Sequence, residues 1–208
     1  MPTLKQALFL ALGGFGLLVR ASILGNKTEP ERTSADGLAV GQSETRLIER
    51  DGRKLVQISG LMEAPVQEVW KVINDTQDMG SFVPFFTQIN DLGQDAQGRL
   101  LRISFRLLLI ERHTEIRLTT DVKPGMRIQR WSRTGGFIPV NQGQWILVPT
   151  KDGHTFARYE IDFNFGLPLP SFIERTDLRD TLVFLPSVVS KRISEIHQKD
   201  PSYFKNAP

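Results

Sequence analysis

EAPVQEVWKVINDTQDMGSFVPFF, Glu63 to Phe86, is the stretch on which the fold turns. Ala64-Pro65 opens a helix, because the fixed φ and missing N–H of proline suit a first helical position. Val66, Val69, Trp70 and Ile73 then recur at i, i+3, i+4 and i+7, which puts them on one apolar face. Asn74-Asp75 and Gly80 end the helix. SFVPFF, Ser81 to Phe86, follows. Phe82, Val83, Phe85 and Phe86 do not alternate as a half-buried strand does, and the segment is too short for a helix of its own. Apolar surface of this density in a connector either caps a core or marks a binding rim. A polar stretch, Thr87 to Asp91, comes next.

Upstream of this stretch, Thr45 to Glu49 predicts a strand. Asp51-Gly52 is a hairpin signal. Lys54 to Met62 alternates Leu55, Gln57, Ser59 and Leu61 against Val56, Ile58, Gly60 and Met62, with one face more apolar. Residues 22–42 read as a flexible linker, since Asn26 to Gln42 holds Gly, Pro, Thr and Ser without periodicity. The folded domain is expected over 43–198, with a frayed tail over 199–208. At the start, MPTLKQALFLALGGFGLLVRASILG carries one lysine and then runs apolar from Ala7 to Val19. That run is shorter than the roughly 20 residues a transmembrane helix needs. Val19 and Ala21 form a small-x-small pattern, so residues 1–21 are expected to be a signal peptide cut after Ala21, or an N-terminal anchor. The expected location is periplasmic or secreted; the alternative is tethering to a membrane through an uncleaved leader.

Downstream, strands follow one another. Leu101, Ile103, Phe105, Leu107 and Leu109 alternate with Arg102, Ser104 and Arg106, and Thr114, Ile116, Leu118 and Thr120 alternate with Glu115, Arg117 and Thr119. Lys123-Pro124-Gly125 turns. Met126 to Ser132, Gly143 to Pro149, and a run in which Ala157, Tyr159, Ile161, Phe163 and Phe165 oppose Arg158, Glu160, Asp162 and Asn164 complete an antiparallel meander. Gly166 to Pro170 breaks the pattern. Leu178, Leu182, Leu185, Val189, Ile193 and Ile196 then form one helical stripe. Pro186 inside it predicts a kink.

Composition excludes several functions. The chain has 208 residues, 40% hydrophobic and 24% charged, and no cysteine. Disulfides, thiolate zinc sites, iron–sulfur clusters and a cysteine nucleophile are therefore ruled out. The formal charge is +3, and Lys5 and Arg20 of the leader supply two of these. The remaining arginines are interspersed with acids, as in Glu49-Arg50-Asp51, which is a solvated surface and not a nucleic-acid stripe.

The order is strand, helix, apolar connector, antiparallel strands and long C-terminal helix. Within it, Glu63 to Phe86 carries "aP", "VW", "nD" and an aromatic-rich "f-P". Gly143-Gln144-Trp145 to Pro149 reads G-x-W-x-l-x-P, Tyr159-Glu160-Ile161 follows, and Leu167 to Pro170 precedes the long helix. Together these resemble the START-like superfamily over roughly 44–197, in particular its polyketide cyclase/dehydrase and coenzyme-Q-binding branch. The resemblance implies an α+β helix-grip fold: a curved antiparallel sheet wrapped around the long C-terminal helix, with two short helices after the first strand. It also implies a hydrophobic pocket between sheet and helix. Members bind lipids, quinones, sterols or polyketides. Some are cyclases or dehydratases, many are non-catalytic carriers, and no single catalytic motif defines them.

The lining expected from this resemblance begins with Phe82, Phe85 and Phe86 of the connector. Phe105, Leu107, Ile116 and Leu118 continue it, followed by Arg130, Trp131, Phe137 and Trp145. Tyr159, Ile161 and Phe163 of the last strand and Leu182 and Leu185 of the helix close it. TGGFIPV, Thr134 to Val140, repeats the recipe of SFVPFF, and the two loops are expected to face each other across the mouth.

Chemistry is sparse. His113, His154 and His197 have no metal-ligand spacing. There is no G-x-S-x-G elbow and no P-loop; Gly13-Gly14-Phe15-Gly16 lies in the leader. Glu160 and Asp162 share the polar face of their strand and are read as solvated before they are read as an acid–base pair. Tyr159 either offers its hydroxyl to a ligand or hydrogen-bonds within the core. Arg130 shares a parity with Met126 and Ile128, which makes it a candidate inward arginine needing a partner. The expected function is non-catalytic binding or transport of a lipid, isoprenoid quinone or polycyclic compound. The alternative is a cyclase/dehydratase, for which Tyr159, Arg130 and Glu160 are the candidate groups. No metal, cofactor or nucleic acid is expected, transient membrane contact is, and the chain is expected to be a monomer.

Overall fold

A computed structural model of the chain describes residues 37–83, 86–107, 110–164 and 185–205. Its first hairpin turns at Asp51-Gly52, where both residues take positive φ, 52° and 72°. That is the backbone of a type I′ turn, whose twist matches that of the paired strands. It joins β1 (Ser43–Arg50) to β2 (Arg53–Met62). Helix α1 (Val66–Asn74) follows and buries Val69, Trp70, Val72 and Ile73, which include three positions of the expected stripe. The Asp75 side chain then accepts the Asp78 amide at 3.3 Å. This cap starts α2 (Thr76–Phe82) where the residue pattern alone predicts an end. Ser81 and Phe82 are thus the last turn of a helix and not a connector.

The remaining strands are β3 (Phe86–Asp95), β4 (Gly98–Leu107), β5 (Ile110–Lys123), β6 (Met126–Gly136), β7 (Val140–Pro149) and β8 (Thr155–Asn164). They form one eight-stranded sheet in the order β1-β2-β8-β7-β6-β5-β4-β3. Every neighbouring pair is antiparallel. β3 includes the polar stretch Thr87 to Asp91. It lies at the sheet edge, is mostly exposed, and pairs with β4 through two register irregularities. Bulged, polar edges resist pairing with a second chain.

The sheet is strongly curved. Phe105 of β4 and Phe163 of β8 have ring centroids 5.6 Å apart, although β5, β6 and β7 lie between their strands. In a flat sheet four inter-strand steps of about 4.8 Å would separate them by roughly 19 Å. The curl brings the inner faces of its two halves into contact.

Helix α3 (Leu185–Lys199) buries Leu185, Val189, Ile193 and Ile196, the described part of the expected stripe. These residues join the strand side chains in one apolar cluster. Leu178, Leu182, Phe165 and the Gly166 to Pro170 break lie outside the described residues, as does the run of helix that a kink at Pro186 would require. The leader 1–21 lies outside them too. Among the described residues no helix is long and apolar enough to cross a membrane.

Beyond Lys199 the described residues continue to Lys205. Pro201–Phe204 forms a 3-10 turn that packs against α1. The Tyr203 hydroxyl donates to Asp75 Oδ2 at 2.8 Å, Lys71 donates to the Tyr203 carbonyl, and Lys71 Nζ sits 4.5 Å from the Tyr203 ring centroid. Arg192 of α3 makes a bidentate pair with Asp78 of α2 at 2.8 and 2.7 Å. His197 meets Glu68 at 2.8 Å. The C-terminal helix is clasped to both short helices by these contacts.

Candidate functional site

Strand alternation decides which side chains meet inside the curl. On β7 and β8, Trp145 lies opposite Tyr159, and Gly143 opposite Ile161. On β6, Trp131 lies opposite Gly143. The absence of a side chain at Gly143 is what lets the Trp131 ring lie down across β7. A Cβ there would stand 2.5 Å from Trp131 Cζ2 and overlap the Glu160 carbonyl oxygen. Trp131 thereby reaches Tyr159 and stacks on it, with centroids 5.5 Å apart and planes at 24°. Trp145 also packs on Tyr159, tilted by 52° with centroids 4.6 Å apart. The G-x-W motif of β7 therefore builds an aromatic wall in the middle of the concave face.

Nearer the β3 start, Phe86 packs edge-on against Phe105 at 5.1 Å, and Phe105 against Phe163. Leu101, Ile103, Ile116, Leu118 and Ile161 are buried between these two aromatic groups and the helices. Of the expected lining, Phe86, Phe105, Ile116, Leu118, Trp131, Trp145, Tyr159, Ile161, Phe163 and Leu185 meet in this single cluster, and Phe82 packs against its edge beneath Arg192. Phe85 and Leu182 lie outside the described residues. So does the Leu107 side chain, although its backbone pairs with Ile110.

Two expected positions lie elsewhere. Arg130 is exposed on the convex face. Gln129 and Trp131 are the inward residues of β6, because the Trp131 ring fixes that parity; Ile128 is buried on the other side. An arginine turned outward needs no buried partner. Phe137 is 65% exposed, whereas its neighbour Ile138 is fully buried. The loop is held rigidly. Arg133 donates to the carbonyls of Ile138 (2.6 Å) and Gly136 (2.8 Å), and the Phe137 amide donates to the His113 carbonyl at 2.9 Å. The Phe137 ring stands edge-on to His113 at 4.9 Å, with Arg112 5.8 Å away.

Sequence reasoning misses the polar residues of the concave face. Trp131 Nε1 donates to Asn141 Oδ1 at 2.9 Å. Gln129 Nε2 donates to the Ile73 carbonyl and Asn74 Oδ1 at the end of α1. Thr155 Oγ1 donates to the Ala64 carbonyl at 2.7 Å. A signal exists for Asn141 and Thr155, which share their parity with Trp145 and Leu147 of β7 and with Ala157, Tyr159 and Ile161 of β8; Gln129 has none, since Arg127 and Arg133 share its parity on β6.

Glu160 is not solvated, contrary to expectation. It is 1% exposed on the convex face and accepts from Arg50 (2.7 Å), Gln57 (2.9 Å) and Gln144 (2.6 Å), with Arg158 Nε 3.2 Å away. Burial pushes its carboxyl up, but the hydrogen bonds from Arg50, Gln144 and Gln57 outweigh that and hold it below its ordinary value. Asp162 accepts from Gln142 at 2.9 Å. Tyr159 behaves in the opposite way: burial alone pushes its hydroxyl far above the ordinary phenol range, so it keeps its proton. No group of His, Asp or Glu able to hold a metal occurs among the described residues.

Comparison with known proteins agrees with this architecture. No curated protein sequence matches. Among solved structures, the human StAR-related lipid transfer protein 5 superimposes with a TM-score of 0.64 at 10% identity, covering 74% of this chain and 82% of that one. The STAR-related lipid transfer protein of Xanthomonas axonopodis gives 0.57 at 17% identity, covering 74% and 92%. The ZhuI aromatase/cyclase of Streptomyces sp. R1128 gives 0.51 at 16% identity, covering 71% and 97%. At these identities the likeness is one of fold. The family model described as "Polyketide cyclase / dehydrase and lipid transport" matches residues 62–188, more than half of the sequence, from the end of β2 into α3. The chain belongs to the polyketide cyclase/dehydrase and lipid transport family.

Proposed function

We propose that this protein holds a hydrophobic small molecule against the concave face of its sheet and carries it without transforming it. The observation that carries this is the continuity of the lining. Aromatic and aliphatic side chains from six strands and α3 form one cluster, and most of the polar groups among them already spend their hydrogen bonds on the protein. Such a surface offers an apolar ligand roughly 0.8 kcal/mol per buried methylene and needs no catalytic group. Lipids, isoprenoid quinones and polycyclic compounds are the classes it suits.

The placements favour a carrier over a cyclase or dehydratase. That chemistry needs an acid or base positioned at the substrate. Arg130 and Glu160 lie on the convex face, and burial disfavours the Tyr159 phenolate, which makes it a poor base. Export through the leader would separate the protein from cytosolic polyketide assembly. Phe137, on the rim, would supply a transient membrane contact for a monomeric carrier collecting its ligand.

The test is to express the full chain in a host that exports it, purify it without detergent, and extract it for mass spectrometry. A stoichiometric lipid or quinone is expected. Protein that emerges empty and takes up nothing from lipid vesicles refutes the proposal.

A further inference from the structure

The Tyr159 hydroxyl breaks the pattern of its surroundings. Neighbouring inward polar groups on β6, β7 and β8 are paired. Tyr159 is 5% exposed, its ring packs on both Trp131 and Trp145, and its hydroxyl makes no hydrogen bond to a described residue, yet it is not among the fully enclosed unpaired atoms, so the oxygen still meets accessible space. Polar atoms set in an apolar inner face are overwhelmingly paired, and one left without a protein partner is free to bond to whatever occupies the space in front of it. A partner from outside the chain supplies the missing bond.

We infer that the Tyr159 hydroxyl is a recognition point for an uncharged oxygen, a carbonyl or hydroxyl, on an otherwise apolar and flat ligand. This rests on the hydrophobic-ligand reading above and narrows it. The hydroxyl keeps its proton, so it is a donor. Burial is the influence resolved on it, and no charged side chain among the described residues contributes; beside these residues a carboxylate or phosphate would be a buried, uncompensated charge. The indoles of Trp131 and Trp145 pack on the Tyr159 ring, and stacked or edge-on aromatic contacts favour a further ring system beside such a group. Quinones, polycyclic ketones and aromatic polyketides meet both conditions. The head group of an ionised fatty acid or a phospholipid does not meet them at this position.

Anthraquinone and anthracene share a fused three-ring skeleton and differ in two carbonyls. Each is titrated into the full-length protein and into Tyr159→Phe, with quenching of tryptophan fluorescence as the readout. Comparing the two proteins for one compound cancels the difference in solubility. Tyr159→Phe is expected to weaken anthraquinone about tenfold, the worth of one hydrogen bond, and to leave anthracene within twofold. The ligand-free variant is expected to melt at or above the wild-type temperature, because it loses an unpaired group. A lowered melting temperature would show that the hydroxyl has an internal partner and would overturn the inference. An equal effect on both compounds would also overturn it. Wild-type protein that takes up vesicle lipid but neither ring compound overturns the ring-and-oxygen inference alone. Protein that takes up none of these overturns the carrier proposal as well.

Discussion

Replacing Gly143 with alanine adds one methyl group at the most crowded point of the sheet. The new Cβ would stand 2.5 and 2.9 Å from Trp131 Cζ2 and Cη2 and would overlap the Glu160 carbonyl oxygen. Favourable carbon contacts lie near 3.5–4.0 Å. The indole could be pushed aside, at the cost of its stacking on Tyr159. The carbonyl belongs to the backbone of β8, which β2 and β7 hold from both sides, and it cannot move without opening the ladder. Overpacking typically costs about 1–3 kcal/mol, and a clash with fixed backbone belongs at the top of that range. For a domain of this size each kcal/mol lowers the melting temperature by about 2–4 °C. The expected loss is therefore about 6–12 °C, followed by circular dichroism, together with a weakened near-ultraviolet tryptophan signal. Gly80→Ala is the matched control. Gly80 lies in α2, where an added methyl group would meet no heavy atom within 4 Å; the same chemical change there should stabilise by about 0.5–1 kcal/mol. A Gly143→Ala protein melting within about 2 °C of wild type would refute the packing account of the G-x-W motif.

Glu160→Ala removes the carboxylate shared by Arg50, Arg158, Gln57 and Gln144, and should cost about 3 kcal/mol in urea unfolding. The Glu160 carboxyl titrates lower in the folded chain than in the unfolded one, so its contribution is complete above the unfolded value near 4.3 and is lost as pH falls below it. Glu160→Gln should flatten that acid limb, and an unchanged limb would refute the assignment. Deleting residues 201–208 removes the Tyr203–Asp75 and Lys71–Tyr203 contacts and should cost about 2 kcal/mol; full stability in the truncated chain would show that the turn is ornamental. Phe137→Asp should change stability by no more than about 0.5 kcal/mol while slowing ligand transfer from vesicles. Equal loss of both would make Phe137 a core residue.

β8 was legible because apolar and polar residues alternate intact from Ala157 to Phe163, although both of its faces are buried from Thr155 to Ile161. The Asp51-Gly52 hairpin was legible because few residues tolerate positive φ. β3 was not, because only Phe86 and Ile89 of this edge strand pack against the core and the rest is mostly exposed, too few apolar positions to mark a face. The start of α2 was hidden for a different reason. Asp75 ends one helix and caps the next, and residue preferences do not separate those roles. Arg130 was misplaced because Met126, Ile128 and Arg130 share a parity, and both parities of β6 carry buried residues at Ile128 and Gln129. What settles it is the Trp131 ring on Gly143, a contact between strands that single-strand periodicity cannot contain. The lining from Phe86 to Phe163 was legible as apolar residues, but not as a closed arrangement, since sheet curvature is set by contacts such as Phe105 on Phe163 across three intervening strands.

Tyr159 and Glu160 are adjacent in sequence and divide the work of β8 between its two faces. Glu160 lies outward, surrounded by donors, in a network that ties β1, β2, β7 and β8 together. Tyr159 lies inward with its hydroxyl unspent. Both groups are buried, and burial pushes both upward: at Glu160 the hydrogen-bonding partners outweigh it, and at Tyr159 nothing opposes it. Their substitutions should therefore separate. Glu160→Ala should lower stability and, in the fraction that remains folded, leave affinity for an apolar ligand intact. Tyr159→Phe should leave stability intact and lower affinity for oxygen-bearing ligands. A single strand can serve scaffold and ligand at once because alternation keeps their chemistries on opposite sides of a sheet.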